Sequence, residues 1–203
     1  MKKLLAITLF MFSVAFSSLA QEGTPMHEFN KFMSKNLKYG TELRKECIEG
    51  PVTISLNIDE NGELKNQPEL VAGNEKLAEE VFASFDKMEE SGFSQYIDQD
   101  LYGKEVLVSV EFYLNKGKKT GLNIPKPPVN EKTELEKLNK AIAENPYFPN
   151  YYKKRAEFYE FMGKYVQAQL DTEYAELLDE KNISNIVVVG YQANDVQRKL
   201  KSE

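Results

Sequence analysis

The chain contains no tryptophan, one histidine (His27) and one cysteine (Cys47). Each scarcity removes a class of chemistry. A lone cysteine forms no internal disulfide, and one histidine with one distant cysteine builds no Cys/His metal cluster. His27 falls in the first turn of a predicted helix. A catalytic base must be oriented by a third group, so His27 reads as a solvated helix residue. Cys47, near a helix end, reads as a half-buried small apolar residue rather than a reactive thiol. No glycine-rich phosphate loop occurs. Acidic residues outnumber basic ones, 32 to 26. That balance lacks the basic footprint of nucleic-acid binding and is repelled by an anionic membrane surface. Beyond residue 20 nothing is apolar enough to cross a bilayer, which takes roughly 20 apolar residues.

What is present begins with a targeting pattern. Lys2 and Lys3 precede a nearly all-apolar stretch, Leu4 to Phe16, and Ser18 and Ala20 are the small residues before a cut at Gln21. This predicts a cleaved signal peptide over residues 1–20 and a periplasmic or secreted protein with no stable membrane insertion after cleavage. The rival is an uncut anchor. Without Lys2 and Lys3 the 26 basic residues become 24 against 32 acidic ones, a net charge of −8. The remaining length suits one medium domain or two small ones.

The hydrophobic period divides the rest. Thr24-Pro25 is a helix-start pair, and Phe29, Phe32, Met33 and Leu37 follow as one apolar stripe ending at Gly40. A short helical turn is expected over residues 41–47. Then the period becomes two: Val52, Ile54, Leu56 and Ile58 alternate with polar residues, a half-buried strand. Asp59-Glu60-Asn61-Gly62 is a hairpin turn, and a weaker strand returns through Leu64 to Val71. A helix is predicted from about Asn74 to Glu90, stopped by Gly92. Val106, Val108, Val110, Phe112 and Leu114 mark a third strand. Residues 116–132, with Pro125, Pro127 and Pro128, read as a semi-rigid linker. Three helices are expected after it, over residues 133–144, 150–162 and 165–179. The tail is ambiguous. Ile186–Val189 is β-branched and suits a strand, but Gly190 stands 34 residues after Ala156, as Ala175 stands 34 after Ala141. That interval is typical of stacked helix pairs, and it favours a capping helix over residues 184–201.

Two resemblances rest on these patterns. NKFMSKNLKY, CIEGPVTISLNIDENGEL and KEVLVSVEFYL, in that order and spacing, resemble the C-terminal domain of TonB, the energy transducer of outer-membrane transport. Coverage is about residues 26–115. The resemblance implies a sheet ordered second, first, third strand, and a strand-addition role. Gly40 replaces the usual proline after the tyrosine, and SGFSQYIDQDLYG lacks the aromatic-x-proline feature. Tyr152, Ala156, Tyr159, Gly163, Tyr165, Ala168 and Ala175 resemble a tetratricopeptide repeat over about residues 133–201. Glu180 there replaces the closing proline, and Arg155 stands where leucine is common. A working transducer also needs an anchor and a long linker. Only five residues separate the predicted cut from Met26, reaching about 18 Å when extended, too little to cross an envelope, so the domain resembles the transducer fold without the transducer machinery, and an anchored transducer is the alternative reading.

The expected fold class is thus α+β: a small three-stranded antiparallel sheet with two helices (residues 21–115), the linker, and an all-α helical-hairpin module (residues 133–203). The expected function is non-catalytic: an extracytoplasmic module of a cell envelope that binds a protein or peptide partner, without cofactor or metal. Two surfaces are candidates. Pro68 suits a protected edge, so under the implied sheet order the strand from Lys104 to Asn115 is the open edge, with Leu107, Ser109, Glu111 and Tyr113 facing away from the helices. On the repeat, the family's ligand-facing positions fall at Asn150, Lys153, Glu157 and Glu160. Glu157 stands where carboxylate-clamping members need asparagine. The competing class is a hydrolase with a carboxylate site on the 91–103 loop, near Asp98 and Asp100. Asn57, Asp59, Asn61 and Gly62 sit at EF-hand-like positions, but position twelve is Pro68 and not a carboxylate, so a plain hairpin is expected. Oligomeric state and the identity of the partner are open.

Overall fold

The computed structural model describes residues 23–115 and 130–191. The expected signal peptide, residues 116–129 of the expected linker and residues 192–203 lie outside the described residues. The class is α+β.

Helix α1 (Pro25–Asn36) starts as its sequence dictates: the Thr24 hydroxyl accepts from the His27 N–H, and Pro25 takes the first helical position. It buries Phe29 and Met33. The short α2 (Thr41–Lys45) leads into β1 (Gly50–Asn57). The hairpin turn follows, organised by the Asp59 carboxylate, which accepts from the N–H groups of Asn61 and Glu63. The Glu63 N–H, then that of Asn61, hold this exposed carboxyl below its ordinary pKa. The returning strand is shorter than expected: β2 is only Glu69–Ala72, beginning directly after Pro68. Gly73 then turns the chain at φ +116°, where a Cβ would lie 2.6 Å from the Pro51 carbonyl oxygen, so only glycine fits. Helix α3 (Glu75–Glu90), capped by Asn74, buries Leu77, Val81, Phe85 and Met88. Two 3-10 turns, Phe93–Tyr96 and Gln99–Leu101, lead to β3 (Glu105–Asn115).

The core lies between α1, α3 and one face of the sheet. Phe29, Phe85, Phe93 and Phe112 are fully enclosed with Ile54, Leu56, Val108 and Val110. Each such side chain contributes on the order of 1.5–3 kcal/mol, so this core holds most of the apolar driving force.

The second half departs from expectation. Helices α4 (Glu131–Glu144), α5 (Pro149–Phe161) and α6 (Tyr165–Lys181) form where predicted. The tail does not continue as a helix. Asn182–Tyr191 is a strand, β4, that pairs parallel with β3 from Leu107↔Asn182 to Asn115↔Tyr191. The sheet is therefore four-stranded and mixed, ordered β2-β1-β3-β4, with β1 antiparallel to both of its neighbours. The order second, first, third holds for the first three strands. The three-stranded antiparallel sheet and the all-α second module are both corrected, because the chain from residue 130 onward supplies a strand to the first sheet. The reason is β-branching: Ile186, Val187, Val188 and Val189 favour a pleated surface, and β3 offered an unpaired edge.

The small residue at 190 also has another cause than a helical repeat. Its position lies against the Tyr39 ring and the Arg44 side chain, with no space for a Cβ. Its 34-residue interval from Ala156, which is buried in α5, relates a strand to a helix and not two equivalent helical positions.

Candidate interaction surface

Alternation along β3 and β4 assigns their two faces. Even-numbered Val108, Val110 and Phe112 join the core, with Ile186 beside them on β4. Odd-numbered residues form the opposite face, and the helical segment covers only one end of it. At that end Ser109 is fully buried, and its hydroxyl lies 3.3 Å from the Thr53 hydroxyl and accepts from Asn182 Nδ2 at 3.1 Å. Asn145, 1 % exposed, extends the network by donating to Thr53 Oγ1 and to the Pro51 carbonyl. Three polar side chains, Thr53, Ser109 and Asn182, thus run across β1, β3 and β4, and Asn145 of the α4–α5 turn closes over them. Buried polar groups persist only when paired, and this row seats the α4–α5 turn on the sheet through hydrogen bonds.

At the other end the face is open. Tyr113, Val187, Val189 and Tyr191 are exposed, with Tyr113 and Val189 directly opposite in register. Strand β4 carries no charged residue and no proline over its ten residues, NISNIVVVGY. It ends the sheet, and its outer edge pairs with no strand among the described residues. Its core face is held by Ser184 against Asn30 and by burial of Ile186, and at its C-terminal end Arg44 donates to the Tyr191 carbonyl.

The expected binding residues therefore divide. Leu107 and Ser109 are buried, Glu111 is half-buried and Tyr113 exposed. The edge to which they belong is not open, because β4 occupies it; this corrects the open-edge reading of β3. On α5, Asn150 is half-buried and Lys153, Glu157 and Glu160 are exposed. Lys153 pairs with Asp179 of α6 at 2.6 Å, so it serves helix–helix packing. The two sets lie on different elements, one on β3 and the other on α5, and Glu111 is near enough to α5 for its carboxylate to act on Tyr151.

The helical hairpin is pinned by a residue whose weight the sequence did not reveal. Arg155 grips Asp171 with both Nε and Nη2 at 2.7 Å and donates to Asn139 of α4 at 2.8 Å. Its guanidinium lies over the rings of Tyr152 and Tyr159. The hydrogen bonds to Asp171 raise its pKa further. The only sequence signal was arginine in place of leucine. Two neighbouring phenols are also shifted. Tyr151 is pushed up to about 12 by burial and then by the Glu111 and Glu144 carboxylates. Tyr152, mainly through burial, also rises to about 12.

Asp98 is half-buried and Asp100 exposed, beside or within the second 3-10 turn. They line none of the clefts at the junction of helices and sheet. Cys47 is exposed at φ 55°, not half-buried as expected, because its turn carries it outward after α2. His27 is exposed. Among the described residues, no group of three or more His, Cys, Asp or Glu side chains is placed to hold a metal ion, and no helix is long and apolar enough to cross a membrane. No family model, no curated protein and no solved structure matches this chain. The likenesses to TonB and to tetratricopeptide repeats rest on the quoted residues alone.

Proposed function

We propose that the protein is a non-catalytic interaction module of the extracytoplasmic envelope that binds another polypeptide by strand addition, at the outer edge of β4 rather than at β3. The observation that carries this reading is β4 itself: ten residues, uncharged, without proline, last in the sheet. Val187, Val189 and Tyr191 are exposed beside its edge. Sheet edges are usually blunted by charge, proline or a covering element. An unblunted one supplies main-chain donors and acceptors for an incoming strand, and the adjacent side chains select it. The extracytoplasmic setting follows from the signal-peptide pattern of residues 1–20.

Strand geometry supplies the test. In a parallel ladder, alternate residues direct their N–H and C=O groups to opposite sides. Single prolines at residues 185–189 should therefore fall into two sets. One breaks the pairing with β3 and loosens β4. The other spares the fold and removes an outward donor. A photo-crosslinking side chain at position 189, activated in the native envelope, should yield a defined protein adduct that the fold-sparing prolines abolish. An adduct unchanged by those prolines refutes strand addition. Recovery of nothing, or of this chain alone, would replace the binding reading with a structural role.

A further inference from the structure

Helix α6 is apolar on two faces, and the fold uses one. Ala168, Asp171, Ala175 and Leu178 are buried against α5 and the sheet. Val166, Leu170, Tyr174 and Leu177 recur at steps of four, four and three. They form a second stripe, roughly a third of a turn away at about 100° per residue. All four are exposed, Leu170 at 60 % and Leu177 at 58 %. The stripe is about 17 Å long at 1.5 Å per residue. Isolated exposed apolar residues are ordinary, but a contiguous row marks a contact surface.

Two further observations state what covers it. The first is shape. At its C-terminal end the stripe runs into a cleft of about 500 Å³ between α6 and the sheet, where Tyr174 and Leu177 face Tyr147, Val71 and Leu107, with the charged Glu105, Glu180 and Lys181 also in its lining. Such a recess takes one large apolar anchor. The second is charge. Glu173, Glu176 and Glu180, at steps of three and four, form a parallel exposed row beside the stripe. None of the three is in an ion pair among the described residues. A second copy of α6 laid against this face would bring like-charged rows together, and like charges at helix spacing repel.

We infer that the outer face of α6 binds an amphipathic helix from another protein, one with an apolar stripe, a large apolar residue at one end and lysines or arginines along its flank. The mode is helix-in-groove recognition, with the acidic row fixing orientation and register. The inference goes beyond strand addition and does not depend on it, because α6 and the edge of β4 are separate surfaces.

The probe is a synthetic helical peptide of about five turns, with leucines at steps of three and four, one terminal phenylalanine and lysine flanks. Its control carries glutamates at the flank positions. Binding to the mature full chain is read by fluorescence anisotropy. The lysine peptide should bind and the glutamate peptide should not. Leu170→Glu and Leu177→Glu should each weaken binding at least about tenfold, the equivalent of one lost apolar side chain. The triple change Glu173→Lys, Glu176→Lys, Glu180→Lys should reverse the preference between peptides. All five positions are exposed, and unchanged circular dichroism confirms that the fold survives. Equal binding of both peptides, or an affinity indifferent to Leu170→Glu and Leu177→Glu, overturns the proposal. Two other results also overturn it by naming a different occupant. One is a marked gain in affinity on reversing Arg198, Lys199 and Lys201, which would make the chain's own tail the occupant. The other is a dimer in sedimentation that Leu170→Glu dissociates, which would make it a second copy. Fold-sparing prolines in β4 should leave peptide affinity unchanged, so failure of one proposal does not read as failure of the other.

Discussion

Replacing Arg155 with leucine tests whether the helical hairpin is held by charge or by shape. Arg155 and Asp171 meet through two bonds of 2.7 Å, with side chains 19 % and 9 % exposed. Removing one member of a fully buried pair costs about 3–5 kcal/mol, because the other charge stays behind without compensation. The partial exposure of Arg155 lets water reach the site, which lowers the expectation for Arg155→Leu to roughly 2–4 kcal/mol. Part of that is the lost stacking on Tyr152 and Tyr159, about 0.5–1 kcal/mol each. Asp171→Leu should cost less, about 1–2 kcal/mol, since the guanidinium keeps Asn139 and can turn to solvent. In the double variant no charge is stranded, and replacing a buried pair by apolar residues is often close to neutral. Its loss should stay within about 1 kcal/mol, giving a coupling of roughly 2–3 kcal/mol or more between the two sites. Urea unfolding followed at 222 nm, with slopes compared across the four proteins, measures all three quantities. A double variant as unstable as the sum of the singles would refute the reasoning and leave the pair as a surface feature.

Two further outcomes follow from the geometry. Gly190→Val should drive a side chain into the Tyr39 ring and Arg44, costing about 1–3 kcal/mol by overpacking. Amide exchange should accelerate in β4 while α5 and α6 keep their protection, and unchanged exchange in β4 would remove Tyr39 as the reason for glycine there. Tyr151 and Tyr152 should ionise near pH 12. An acid whose folded pKa is raised contributes stability fully present below its unfolded value, about pH 10. That stability is lost as pH rises through the folded value, so unfolding should be promoted between about pH 10 and 12. Absorbance at 295 nm should show a late phase that Tyr151→Phe and Tyr152→Phe remove together; titration of every tyrosine near pH 10 would contradict the burial argument.

Local patterning alone determined most elements of the first half. The Thr24-Pro25 start of α1, the period-two run of β1, the Asp59 turn, the start of α3 near Asn74 and the alternation of β3 all stand where neighbouring residues placed them. Caps, turns and periodicity act over a few residues, so one sequence is enough to read them. The three helices after residue 130 were legible for the same reason. The fate of the tail was not. Ile186–Val189 suited a strand and the 34-residue interval suited a helix, and the choice depended on an unpaired edge of β3 some 75 residues earlier, reached across α4, α5 and α6. Parallel pairing through such a crossover leaves no short-range mark. Because β4 closes that edge, the candidate surface moved with it: Leu107 and Ser109 passed from a proposed interface into the interior, and Val187, Val189 and Tyr191 came to the boundary of the sheet. Likewise α6 carries two apolar stripes, and only packing decided that the one through Ala168, Ala175 and Leu178 is buried and the one through Val166, Leu170, Tyr174 and Leu177 left exposed.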